Sequence, residues 1–224
     1  MKFIADFMRT HRHAWWSLFV PCYLISFFTI EHFITDNYWA TQLPLDDAIP
    51  FCKYFIVIYD AWAPLLVVLG LYLIFKDPEG FRRYMWSLIF TFMTSTLFCI
   101  LVPNGQDLRP AVVEGGDFFA WLVRMTYAAD TNTNVFPSVH VVGVMSALFA
   151  VYHTPGLKKW GWRLGATLLG IVIIAATLLV KQHAVIDILA GLVLSAIDYV
   201  LIYVIVAQKR DKQIKTGIDK PGTA

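Results

Sequence analysis

A helical membrane bundle of six spans is the fold class that three observations predict. Apolar residues make up 58% of the 224 positions and charged ones only 15%, against about 25% charged in a soluble domain. The apolar residues form six continuous runs rather than alternating, which excludes strands and leaves helices, the element that satisfies its own backbone in lipid. The lysines and arginines divide unevenly between the segments that join the runs. Mean hydropathy of +0.61 excludes a disordered chain and an ordinary water-soluble enzyme.

The first run, 14–30, follows Lys2, Arg9 and Arg12 as a signal peptide would. No small-x-small cleavage site comes after it, so it reads as an uncleaved first span. Run 54–75 is broken only by Asp60, and runs 84–102 and 164–180 carry no charge. Run 139–152 is short and is extended by Pro137 and Ser138, while run 184–207 contains Asp187 and Asp198. Five of the six reach the roughly 17–25 residues that cross a hydrocarbon core. Residues 1–207 thus make one membrane domain, and 208–224 a short basic tail.

Fourteen of the 18 lysines and arginines fall on one side of the predicted membrane. The other four, Lys53, Arg109, Arg124 and Lys181, fall on the opposite side. The positive-inside rule therefore places both termini in the cytoplasm. Trp15, Trp16, Trp39, Trp86, Trp160 and Trp162 lie near run ends, as interfacial aromatic residues do. His11, His13, His32 and His153 are read as interfacial too. Net charge is only +2, so no nucleic-acid partner is expected. Cys22 and Cys99 sit in apolar runs and Cys52 stands alone, which gives no disulfide framework.

The connection 104–136 is long for two adjacent spans, and ordered loops of that length tend to be functional. Asp117 is placed to cap a short interfacial helix over 118–127. Three polar clusters then share the outer face by the parity of the spans. Arg109-Pro110 follows span three, Phe136-Pro137-Ser138-Val139-His140 opens span four, and Lys181-Gln182-His183 joins spans five and six, with Asp187 one turn further on.

His183 and Asp187 are four residues apart, on one helix face about 6 Å apart along the axis. A carboxylate there fixes the imidazole tautomer and aims the other nitrogen as a base or nucleophile. A histidine in the first turn of an otherwise apolar span has no capping role, so His140 is a candidate proton donor. Ser138 at a helix start offers backbone N–H groups to an oxyanion, and Arg109 and Lys181 supply fixed positive charge. Together these groups suit phosphoryl transfer without a metal. A zinc site from His140, His183 and Asp187 ranks below that, for want of an HExxH or clustered cysteines; neither metal nor other cofactor is expected. Asp60 either faces the site or makes an interhelical contact. Asp198 shares the Asp187 face and points into the bundle, too deep for the chemistry.

These residues resemble the type 2 phosphatidic acid phosphatase superfamily. Its signature is Lys, six residues, Arg-Pro; then Pro-Ser-Gly-His; then Ser-Arg, five residues, His, three residues, Asp. Arg109-Pro110, Pro137-Ser138-Val139-His140 and His183 with Asp187 match it, across most of the chain. The resemblance implies that His183 attacks phosphorus, Asp187 orients it, His140 protonates the leaving alcohol, and Arg109 with the amides near Ser138 holds the phosphate oxygens. Val102 and Thr177 stand where the family has cations, Val139 where it has glycine, and Lys181 is a candidate replacement. The Phe-Pro-Ser-x-His and Lys-Gln-His-x-x-x-Asp forms look closer to the inositol phosphorylceramide and sphingomyelin synthase branch. Three functions stay open here: a lipid-phosphate phosphatase, a lipid phospho-headgroup transferase, and a non-catalytic binding protein or transporter on the same scaffold.

Overall fold

The computed structural model describes residues 9–33 and 37–206. Helix α1 (Arg12–Phe33) opens as a tight 3-10 stretch over Arg12–Leu18 and continues as α over Phe19–Phe33. Helix α2 (Lys53–Lys76) starts with a single 3-10 turn. Helix α3 (Pro78–Leu101) begins where Asp77 accepts the Gly80 N–H at 2.9 Å and Pro78 takes the first helical position, a start that loses no hydrogen bond. Helices α4 (Phe118–Ala129), α5 (Val139–His153), α6 (Trp160–Leu179) and α7 (Val185–Val206) follow. Helix α7 is α-helical to Asp198 and π-helical over Tyr199–Val206.

Five of these, α1, α2, α3, α6 and α7, are long and apolar enough to cross a membrane. The apolar run at 139–152 becomes α5, only 15 residues long. That is about 22 Å at 1.5 Å per residue, short of a hydrocarbon core of about 30 Å. Its short length has a physical reason. Helix α5 is buried nearly all round, from His140 to Val151, among α2, α3, α6 and α7. A helix covered by protein need not match the lipid. Close packing depends on small residues: a Cβ on Gly191 of α7 would lie 2.9 Å from the Val141 Cβ of α5. The long apolar helices differ, with Ile25 of α1, Val68 of α2 and Val193 of α7 all exposed.

Leu73, Phe81, Tyr84, Phe92, Val142 and Ala147 form the main core. A second cluster near the other end joins α4 to α2 and α6 through Tyr59, Ala120, Val123, Ala176 and Val180. Strand β1 (Trp39–Ala40) pairs in parallel with β2 (Asn104–Gly105), and Thr133 bridges to Gly105 from the other direction. Two-residue strands carry no sequence period, so nothing in the pattern announced them. They tie three loops together over the ends of α3 and α5. Asp117 caps α4, accepting from the N–H groups of Phe119 and Ala120 at 3.1 and 3.2 Å. The basic tail at 208–224 lies outside the described residues.

Candidate active site

The site forms where α5 and α7 begin and α3 and α6 end. Ser138 caps α5, its hydroxyl accepting from Val141 N at 3.4 Å. This puts His140 in the first turn, facing inward. The α6–α7 connection turns sharply: Lys181 has a left-handed φ of 54°, and the N–H groups of Gln182 and His183 both reach the Thr177 carbonyl. That turn satisfies the end of α6 and points His183 back under α5. The His140 Nδ1 and His183 Nε2 atoms come within 3.1 Å.

His140 is clasped between two rings of α2, with Tyr59 and Trp62 each 4.5 Å away by ring centroid. Gly143, one turn below His140, makes room for this: a Cβ there would lie 2.7 Å from Trp62 Nε1. Asp187 is fully buried. Its Oδ2 accepts the Ala184 N–H at 2.7 Å and lies 3.5 Å from His183 Nδ1. Among the described residues, neither His183 Nδ1 nor Asp187 Oδ1 has a hydrogen-bond partner. The expected i,i+4 pair is therefore in contact but looser than a hydrogen bond.

The two histidines face a cavity of about 20 Å³ that Asp130, Thr131, Asn134 and Gln182 also line, room for roughly one water. None of the described residues that line it is Lys or Arg. None of the three expected phosphate-binding residues, Ser138, Lys181 and Arg109, is among the residues that line it. Ser138 caps α5. Lys181 turns away, and its Nζ donates to the Asp46 carbonyl at 2.7 Å. Arg109 stacks on Tyr127 at 4.3 Å and donates to the carbonyls of Asp130 and Thr131 and to Gln182 Oε1. Its guanidinium thus organises the rim of the cavity. Asp60 makes the interhelical contact, accepting from Thr126 of α4 at 3.4 Å.

Several residues that the sequence did not single out build the site. Asp130 Oδ2 accepts from Tyr59 OH at 2.9 Å and Gln182 Nε2 at 3.3 Å. Burial, and then the nearby Glu31 charge, push its carboxyl above the ordinary carboxylate range. Burial also pulls the Arg109 guanidinium down. Glu31 of α1 accepts from Thr131 N at 2.9 Å and from Asn134 Nδ2 at 2.7 Å, which fixes the loop behind the cavity. Asn104 clamps the end of α3 to the start of α5, accepting from Phe136 N and donating to the Val102 carbonyl, both at 2.8 Å. Asp46 accepts the Val185 N–H at 2.8 Å and so steadies the start of α7 from a distant loop. Among the described residues no group of three or more His, Cys, Asp or Glu could hold a metal ion.

The chain matches no family model, no curated protein and no solved structure.

Proposed function

We propose that this protein is a membrane enzyme that hydrolyses a lipid phosphate monoester or diphosphate through a phosphohistidine intermediate. In this reading it spans the membrane six times, with both termini cytoplasmic and the site on the extracytoplasmic or lumenal face; α5 is the sixth span. One observation carries the proposal: an imidazole from the first turn of α5 and one from the α6–α7 connection, 43 residues apart, meet at 3.1 Å with a buried carboxylate behind one of them. Such a pair, shielded by apolar helices, suits an in-line displacement that needs one nucleophile and one proton donor.

In the proposed reaction His183 Nε2 attacks phosphorus and the bond to the lipid oxygen breaks. His140, protonated at Nδ1, gives its proton to that oxygen, and the alcohol leaves. Asp187 stabilises the charge on the His183 ring. Water then attacks the phosphohistidine, His140 takes a proton back, the P–N bond breaks and inorganic phosphate departs. Substrate entry must part the two rings, because the cavity holds about one water. Arg109, by fixing Gln182 and the Asp130–Thr131 carbonyls, sets the rim that the phosphate passes.

A second reading, phospho-headgroup transfer to an alcohol, rests on the cavity lining. Asp130, Thr131, Asn134 and Gln182 suit the hydroxyls of an acceptor better than they suit an anion. The test is one assay on purified, reconstituted protein with labelled lipid phosphates, with diacylglycerol, ceramide or inositol supplied separately. Free phosphate is expected to dominate and to vanish in His183→Ala. New phospholipid as the main product would replace hydrolysis by transfer, and full turnover in His183→Ala would end both readings.

A further inference from the structure

Three cavities lie in sequence along α1 and α3, joined by shared walls. The polar cavity at the histidines shares Phe27, Asn134 and Val139 with a small one of about 10 Å³. That one shares Tyr23 with an apolar groove of about 400 Å³ between α1, α2 and α3. Trp62 closes the same path from the other side. One neighbour of its ring is His140, at 4.5 Å, and another is Phe92, at 6.1 Å, and both Trp62 and Phe92 line the groove. We propose that this groove holds one hydrocarbon chain of the lipid whose phosphate sits at His140 and His183, with Trp62 and Tyr23 at the junction between chain and head.

The dimensions fit that occupant. The groove runs along α2 from Trp62 to Ile74, twelve steps of about 1.5 Å, or about 18 Å. Its walls are the side chains of aromatic and aliphatic residues, with Ser17 at one end. Lipid tails are as apolar as this wall, so the groove adds little driving force. What it supplies is register: a seated chain sets how far the phosphorus stands from His183. A displacement of about 1 Å at reacting atoms costs on the order of a hundredfold in rate. Gly70 lines the groove, and a Cβ there would meet only the Tyr84 ring, at an ordinary 3.7 Å. A longer side chain at this position therefore enters the space meant for the tail.

This inference rests on the proposed reaction, and its test separates the two. In vesicles, Gly70→Leu should lower the ratio of kcat/KM for dioleoyl over dihexanoyl phosphatidic acid by about tenfold, a loss within the misplacement range. Ala63→Leu, which fills the groove elsewhere, should act in the same direction. An activity-independent arm uses phosphatidic acid with a diazirine near the end of its chain. Photolabelling should concentrate on α2 residues around Gly70, persist in His183→Ala and fall in Gly70→Leu. Labelling no greater there than at lipid-exposed Ile171, or an unchanged chain-length ratio in both variants, would overturn the groove assignment. Concentrated labelling without turnover would uphold the groove and discard the reaction.

Discussion

Two buried polar clusters sit in this apolar bundle, and they differ in kind. At the inner one, Ser87 Oγ of α3 lies 2.5 Å from Asp198 Oδ2 of α7 and 2.8 Å from Ser146 Oγ of α5. All three residues are buried, each comes from a helix interior, and the cluster locks three helices together. At the other, His140 comes from a helix start and His183 from the turn that leads into α7, loops supply Asp130, Asn134 and Gln182, and a cavity lies between them. An ionisable residue inside a membrane is commonly read as functional. The comparison narrows that rule. A polar group that helix interiors close over serves packing, and one where helix ends and loops converge on a cavity has room for a reaction.

The largest effects should separate the clusters by chemistry. His140→Ala should lower turnover of lipid alkyl phosphates by about 10²–10⁴-fold, the usual contribution of general acid–base catalysis. Its loss on nitrophenyl phosphate should be far smaller, because that leaving group scarcely needs a proton. Equal losses would assign His140 to phosphate binding instead. At the inner cluster, Ser87→Ala should strip Asp198 of its hydrogen bond. The cost is about 1–3 kcal/mol of stability, read as a lower Tm in detergent, with leaving-group dependence unchanged. A changed leaving-group dependence would erase the distinction between the clusters.

Much of this contrast was legible in the sequence, and the missing part has a physical cause. His140, His183 and Asp187 stood out because a polar residue in or beside an apolar run is costly and needs a reason. Asp198 was readable for the same cause, and the i,i+11 spacing from Asp187 put it on the inward face. Asp46, Asn104, Asp130 and Gln182 lie in loops, where polar residues are ordinary. Their roles depend on partners up to 139 residues away, which no local pattern encodes. Glu31 directly follows the first hydrophobic run, where a polar residue is ordinary. The sequence also directed Arg109 and Lys181 at the phosphate by charge alone, while their contacts are with carbonyls at the rim and in a neighbouring turn.

A smaller effect sharpens the loop side of the comparison. The Asp130 pKa is raised in the fold by burial and by Glu31, so the folded chain holds this proton more tightly than the unfolded chain does. That contribution is complete below the ordinary value of 3.8 and is lost as pH rises through the raised one. Asp130→Asn removes it. The mutant's Tm should therefore gain on wild type as pH rises from about that ordinary value towards neutral, and the gap should then stay level. A constant gap across the whole range would contradict the assigned environment. Smaller still, Asp117→Ala should speed hydrogen exchange at Phe119 and Ala120, whose amides it caps, and leave exchange in α5 unaltered.

The proposed reaction requires a covalent bond between His183 and phosphorus. Reconstituted protein mixed with a lipid carrying a radiolabelled phosphate, and quenched rapidly in alkali, tests it most directly. An acid-labile, alkali-stable label is expected, which peptide mapping places on His183 and His183→Ala abolishes. Label on any other residue, or undiminished turnover in His183→Ala, would contradict it.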